Sequence, residues 1–154
     1  MGNIKNHISG VRILPLKVIE DSRGDILHML RNDSEHFLGF GEAYFSEILP
    51  NQIKAWKKNN IATQVLAVPA GGVRFVLYDD RKSSETFQTI QIIELTRLHN
   101  YQLLQIPPKI WYGFSCIDSE ISLIANCSDT LHSPDNAETL PIENSLIPYK
   151  WESQ

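Results

Sequence analysis

Two short apolar runs, residues 64–69 and 73–78, constrain the fold of this chain more than any other stretch. They are rich in Val, Leu and Phe and too short to be helices, so they read as buried strands. Ala70-Gly71-Gly72 between them supplies the positive-φ freedom of a tight turn, which predicts a β-hairpin. Just upstream, Lys54, Trp56, Lys57 and Lys58 put three positive charges and an indole into five residues. A segment of that kind is either a solvated strand edge or a site for an anion that carries a ring.

The same punctuation continues along the chain. Residues 11–18, 25–30, 42–49, 86–97, 101–106, 110–116 and 121–127 read as further strands, divided by turn residues such as Asp21-Ser22-Arg23-Gly24 and Pro50-Asn51. In 42–49 the alternation sets Tyr44, Ser46 and Ile48 on one face and Ala43, Phe45 and Glu47 on the other. Asp33 or Ser34 is placed to cap a single helical turn. After Cys127 the chain becomes an irregular polar tail that ends in Ile147-Pro148-Tyr149-Lys150-Trp151. Nine or ten short strands, hardly any helix, no repeat and no linker predict one all-β domain over residues 1–154. Its type is a sandwich or barrel of the jelly-roll kind.

Charge and composition then exclude several function classes. A net charge of −4 argues against nucleic acid, whose binders present a net basic surface. No apolar run approaches the roughly 18 residues of a membrane span. The first residues lack the apolar core of a signal peptide, and Asn6 breaks the myristoylation pattern. Cys116 and Cys127 read as reduced thiols of a cytoplasmic protein. His7, His28, His36, His99 and His132 are scattered, so neither a metal nor another cofactor is expected. There is no phosphate loop and no nucleophile elbow. Residue chemistry alone stops at an all-β globular domain.

The order of short motifs goes further. Asp21-Ser22-Arg23-Gly24, Lys54-Ala55-Trp56-Lys57, Gly71, Asp79-Asp80-Arg81 and Ser84-Glu85-Thr86-Phe87 follow one another at characteristic spacings. Pro107 to Phe114 and a closing stretch from Asn144 to Trp151 complete the series. Over about residues 12–151 the chain resembles the dTDP-4-dehydrorhamnose 3,5-epimerase family of cupin, RmlC-like jelly rolls. The resemblance implies a nucleotide-sugar epimerase or isomerase of deoxysugar or surface-polysaccharide synthesis. In such chemistry a base takes a proton from a carbon flanking a 4-keto group, and an acid on the opposite face returns one. A cationic or hydrogen-bonding group holds the enolate in between.

Carried over residue by residue, the family's histidine base falls on Lys57 and its aspartate partner on Asn144. A second histidine falls on Tyr112, and two late tyrosines fall on Asn126 and His132. A phosphate-binding arginine becomes Lys54 and a phosphate-side lysine becomes Gln64, whereas Arg23 stands where the family reaches the neighbouring subunit's diphosphate. The implied catalytic set is Lys57, Tyr112 and His132. The implied binding set for a dTDP-linked keto sugar is Arg23, Lys54, Gln64, Glu42, Asn126 and Asn144. Lys57 serves as a base once burial and the like charge of Lys54 or Lys58 favour its neutral amine, with Tyr112 or His132 as donor. The replaced dyad also suits a catalytically inactive cupin that binds a sugar nucleotide or a protein partner. The resemblance further implies a homodimer that exchanges residues 11–30; Trp151 itself reads as a plug that packs the tail onto the barrel.

Overall fold

The structure is a computed structural model that describes residues 7–152. Two five-stranded antiparallel sheets face each other as a jelly roll. The first, in spatial order, holds β1 (Arg12–Pro15), β9 (Gln102–Ile106), β6 (Gln64–Ala70), β11 (Ser122–Ser128) and β4 (Glu42–Ile48). The second holds β12 (Ala137–Thr139), β5 (Ile53–Asn59), β10 (Trp111–Cys116), β7 (Gly72–Tyr78) and β8 (Ile90–Thr96). A small two-stranded arm, β2 (Val18–Ile19) with β3 (Ile26–Leu27), stands apart and carries Arg23 at its turn. The all-β jelly roll expected from the sequence is the fold observed.

The expected hairpin is not. β6 and β7 belong to different sheets: β6 pairs with β9 and β11, and β7 pairs with β10 and β8. Gly71, at φ 78°, turns the chain from one sheet into the other. A Cβ at Gly71 would stand 2.9 Å from Ser122 Cα, so the turn closes against β11. The Ser122 hydroxyl accepts from Gly72 N–H and donates to Gly72 O, both at 2.9 Å, and pins the corner. Both runs are buried on both faces, so their pattern carried no information about which strand each would meet.

Other boundaries shift for local reasons. Residues 31–37 form two successive turns, closed by Ser34 N–H to Arg31 O and Phe37 N–H to Ser34 O, rather than a capped helical turn. The Asp33 carboxylate is taken by Arg31 at 2.6 and 2.8 Å, and no side-chain cap from Ser34 forms among the described residues. The 86–97 strand begins only at Ile90, since the Thr86 hydroxyl is held by Asp79 at 2.7 Å and by Ser9 N–H at 3.0 Å. Residues 11–18 and 25–30 contract to β1 with β2 and to β3. The tail contributes a short 3-10 turn at Pro134–Asn136 and β12 along β5. Twelve strands are present among the described residues.

Two apolar clusters hold the sheets. Between them lie Phe75, Leu77, Leu104, Ile106, Ile110 and Ile124, all at 3% exposure or less. On the outer side of the second sheet, Trp56, Val76, Tyr78 and Trp111 pack under Ile147, Tyr149 and Trp151 of the tail. The Trp56 and Trp151 ring centroids are 5.4 Å apart, which bears out Trp151 as the residue that fastens the tail. Gly113 permits this approach, because a Cβ there would meet Ala55 Cβ at 2.5 Å and the Trp151 ring at 3.0 Å.

Candidate active site

The polar side chains of the interior gather where β4 of one sheet faces β5 of the other. On β5 a β-bulge decides which of them point in. Tyr112 is paired with Lys57 but Phe114 with Lys54, so Ala55 and Trp56 together oppose Gly113. A bulge of one residue shifts the phase of alternation. Lys54 and Lys57, three residues apart, therefore share the inner face that strict alternation would deny them. Lys58 turns outward, 3.2 Å from Asp80 and 3.3 Å from Glu138, with its ammonium 4.7 Å over the Trp111 ring.

Two adjoining clefts result. One is lined by Glu42, Tyr44, Lys57, Asn59, Gln64 and His132 among others; the second by Tyr44, Ser46, Lys54, Lys57, Tyr112 and Phe114. Tyr44 and Lys57 border both. Lys57 forms no ion pair among the described residues, in contrast to Lys58. Larger grooves run along the tail and beneath 45–49, with fewer converging polar groups.

The first sheet answers β5 with a polar chain. Asn126 on β11 donates through its amide to Gln64 Oε1 and, at 2.8 Å, to the Tyr44 hydroxyl. Burial raises the Tyr44 phenol above its ordinary value; the Asn126 bond offsets part of this and the Glu42 charge adds to it. Tyr112, buried among core side chains, is pushed far up by burial and further by Tyr44, with only a partial offset from the nearby Asn59 amide, which falls short of hydrogen-bond geometry. Both phenols are thus protonated donors at neutral pH. Two buried amide atoms at this seam, Asn59 Nδ2 and Asn126 Oδ1, have no hydrogen-bond partner among the described residues. Such a group costs about 1–3 kcal/mol, which a ligand or a water can relieve.

Of the residues singled out from the sequence, Lys57, Tyr112, His132, Lys54, Gln64 and Glu42 border the clefts, and Asn126 supports them from behind. The His132 backbone N–H is held by Glu42 Oε1 at 3.1 Å, and its ring is exposed. The Lys54 ammonium donates to Glu47 O at 2.6 Å. Asn144 lies elsewhere: its Oδ1 accepts from Leu146 and Ile147 N–H and its Nδ2 donates to Pro141 O, which shapes a turn of the tail. Arg23 also lies outside the clefts, 88% exposed and forked onto Asp21. Lys58 was one candidate like charge beside Lys57, but its pairing on the opposite face removes it from that role. Tyr44 and Asn59 were missed as site residues. The alternation of 42–49 had already put Tyr44 on the face of Ser46 and Ile48, and that was the available signal.

Two facing antiparallel sheets with an open, polar-lined seam between them are the architecture of the cupin class. The chain belongs to the dTDP-4-dehydrorhamnose 3,5-epimerase family, whose model matches residues 5–154. Among solved structures, it is similar to a dTDP sugar isomerase from Desulfovibrio desulfuricans, at 43% identity and a TM-score of 0.92 over 94% of this chain and 92% of that one. Among curated proteins, it is 30% identical to a probable low-salt glycan biosynthesis epimerase of Haloferax volcanii, over 96% of this chain and 97% of that one. It is 26% identical to the spore coat polysaccharide biosynthesis protein SpsL of Bacillus subtilis, over 96% and 98%. The dTDP-4-dehydrorhamnose 3,5-epimerase of Bacillus anthracis, at 18% identity, shares the fold with a TM-score of 0.82 over 95% and 87%.

Proposed function

We propose that the protein epimerises a dTDP-linked 4-keto-6-deoxyhexose for the synthesis of a deoxysugar or a surface polysaccharide. The observation that carries this reading is the placement of Lys57. It stands on the inner face of β5, borders both clefts, and among the described residues has no carboxylate to hold it. A 4-keto group makes the protons on its flanking carbons acidic, and a primary amine in its neutral form is a competent base for them. Asn59 Nδ2, buried and without a hydrogen-bond partner among the described residues, supplies an N–H for the enolate oxygen that develops. Lys54, Gln64 and Glu42 contribute polar contacts for the diphosphate and sugar, and Tyr112 donates from below. His132 or a phenol supplies the returned proton.

The family relationship and the glycan-pathway relatives support the substrate class. We further propose a homodimer in the cytoplasm, in which the exposed β2–β3 arm brings Arg23 to the diphosphate in a partner's site. Reduced Cys116 and Cys127 and the absence, among the described residues, of a helix long and apolar enough to cross a membrane are compatible with that setting. A sedimentation mass of one chain would remove the role of Arg23 in trans.

The test is proton NMR of dTDP-4-keto-6-deoxyglucose in heavy water with and without the protein. Faster loss of the C3 or C5 proton signal than in the control is expected, and the carbon that exchanges names the position of the reaction. Binding of dTDP without exchange would instead make the protein a non-catalytic sugar-nucleotide module.

A further inference from the structure

An epimerase needs two groups on opposite faces of one carbon, and the seam offers several donors but few with that geometry. Tyr112 lies on β10 directly across from Lys57 in the same sheet, so it approaches a ligand from the side of the base. Tyr44 comes from the facing sheet. It and Lys57 border both clefts, so a ring lodged at the seam has one on each side. His132 borders only the first of the two clefts, so it does not reach the second as Tyr44 does.

The hydrogen bonds fix how Tyr44 is used. Asn126 has its amide N–H groups committed, to Gln64 Oε1 and to the Tyr44 oxygen. The phenol oxygen is therefore an acceptor toward β11, and its own O–H is left to donate into the cleft. An N–H aimed at that oxygen also stabilises the negative charge that grows there when the proton leaves. At 4% exposure, Asn126 is a positioning residue for this purpose, itself oriented by Gln64.

We propose that Tyr44 returns the proton on the face opposite Lys57, an assignment that rests on the epimerase reading above. The Lys57 amine lone pair takes the proton from the carbon beside the carbonyl. The C–H electron pair becomes a C=C bond, and the carbonyl π pair moves onto oxygen as the enolate. In the return step the oxygen pair re-forms the carbonyl, and the C=C pair takes the Tyr44 proton from the other side. That leaves a phenolate and a lysine ammonium, which solvent resets by carrying one proton from the second to the first. Tyr44 is 40% exposed, and its partial burial raises the phenol above its ordinary value, so the proton is in place beforehand, as a donor requires.

The experiment compares wild type, Tyr44→Phe and Asn126→Ala on dTDP-4-keto-6-deoxyglucose in heavy water, scoring deuterium entry and configuration at the exchanged carbon separately. In heavy water the Lys57 amine carries two deuterons, so after abstraction about two of every three same-face returns still deliver deuterium. Tyr44→Phe is expected to keep deuterium entry within about threefold while inversion falls at least about a hundredfold. Asn126→Ala is expected to lower inversion by about tenfold with the same split, and to serve as the second probe should Tyr44→Phe melt early. Inversion at the wild-type rate in Tyr44→Phe overturns the assignment and leaves the epimerase reading standing. Loss of deuterium entry together with inversion in a variant of unchanged Tm also overturns it. Absence of exchange in the wild type overturns both.

Discussion

The two faces of β5 show how neighbouring residues of one type acquire opposite duties. Outward, Trp56 is 2% exposed under the tail, and Lys58 is fastened by Asp80, Glu138 and the Trp111 ring. Inward, among the described residues, Lys57 meets no carboxylate and the buried Asn59 amide nitrogen has no hydrogen-bond partner. The outward row follows the rules of stability: apolar area is covered and each charge is paired. The inward row breaks them at the seam between the sheets. Local sequences that violate such rules mark the places where a ligand completes the structure.

Substitution on either face should affect one property and spare the other. Lys57→Ala should leave the fold intact, since no described ion pair is lost, while proton exchange from a 4-keto sugar nucleotide falls by about a thousandfold. An unfolded Lys57→Ala, or one with full turnover, would abolish the contrast. Trp56→Ala should do the reverse. It empties the centre of the outer cluster and removes the indole bond to Ile142 O at 3.2 Å, lowering stability by about 3–4 kcal/mol in urea titration.

Acid should act through the structural half of the molecule. Asp79 is fully buried at the end of β7; burial alone would raise its pKa, but donors from Arg81, Ser84 and Thr86 outweigh this and hold it at about 2, against an ordinary 3.8. A depressed carboxylate stabilises the fold above its unfolded pKa and loses that contribution as pH falls through the folded one. Between about pH 5 and pH 2 the wild type should lose about 2 kcal/mol more than Asp79→Asn, read from denaturation at each pH. The smallest effect belongs to Lys58→Met. Its two ion pairs are only partly buried, so the loss should be about 1 kcal/mol, with exchange activity within about threefold of wild type. A large drop in activity there would show that the outward row also serves the reaction.

How much of this was legible beforehand differs by residue. The inner face of 42–49, Tyr44 with Ser46 and Ile48, could be read from a period of two, and it is the face that meets the seam. The cluster Lys54, Trp56, Lys57 and Lys58 could be read as unusual, but its division between the faces could not. Alternation by itself would pair Lys54 with Trp56 and Lys58 on one side and leave Lys57 alone. Asn144 was aligned by motif order with a catalytic partner, and its amide is consumed by the tail's own backbone. Arg23 was recognisable by its turn, and the fold of one chain puts that turn in solvent.

Strand character, turn positions and the choice of an all-β jelly roll were determined by the sequence itself, because they depend on local propensity and on which short runs must leave water. Partnership was decided only by the tertiary structure. Gly71 sends β7 into the opposite sheet from β6, since strands buried on both faces find their partners through closure of the whole barrel. The bulge at Ala55-Trp56 is of the same kind. It arises where two residues must oppose Gly113 beneath Trp151, and that single extra residue turns Lys57 toward the interior.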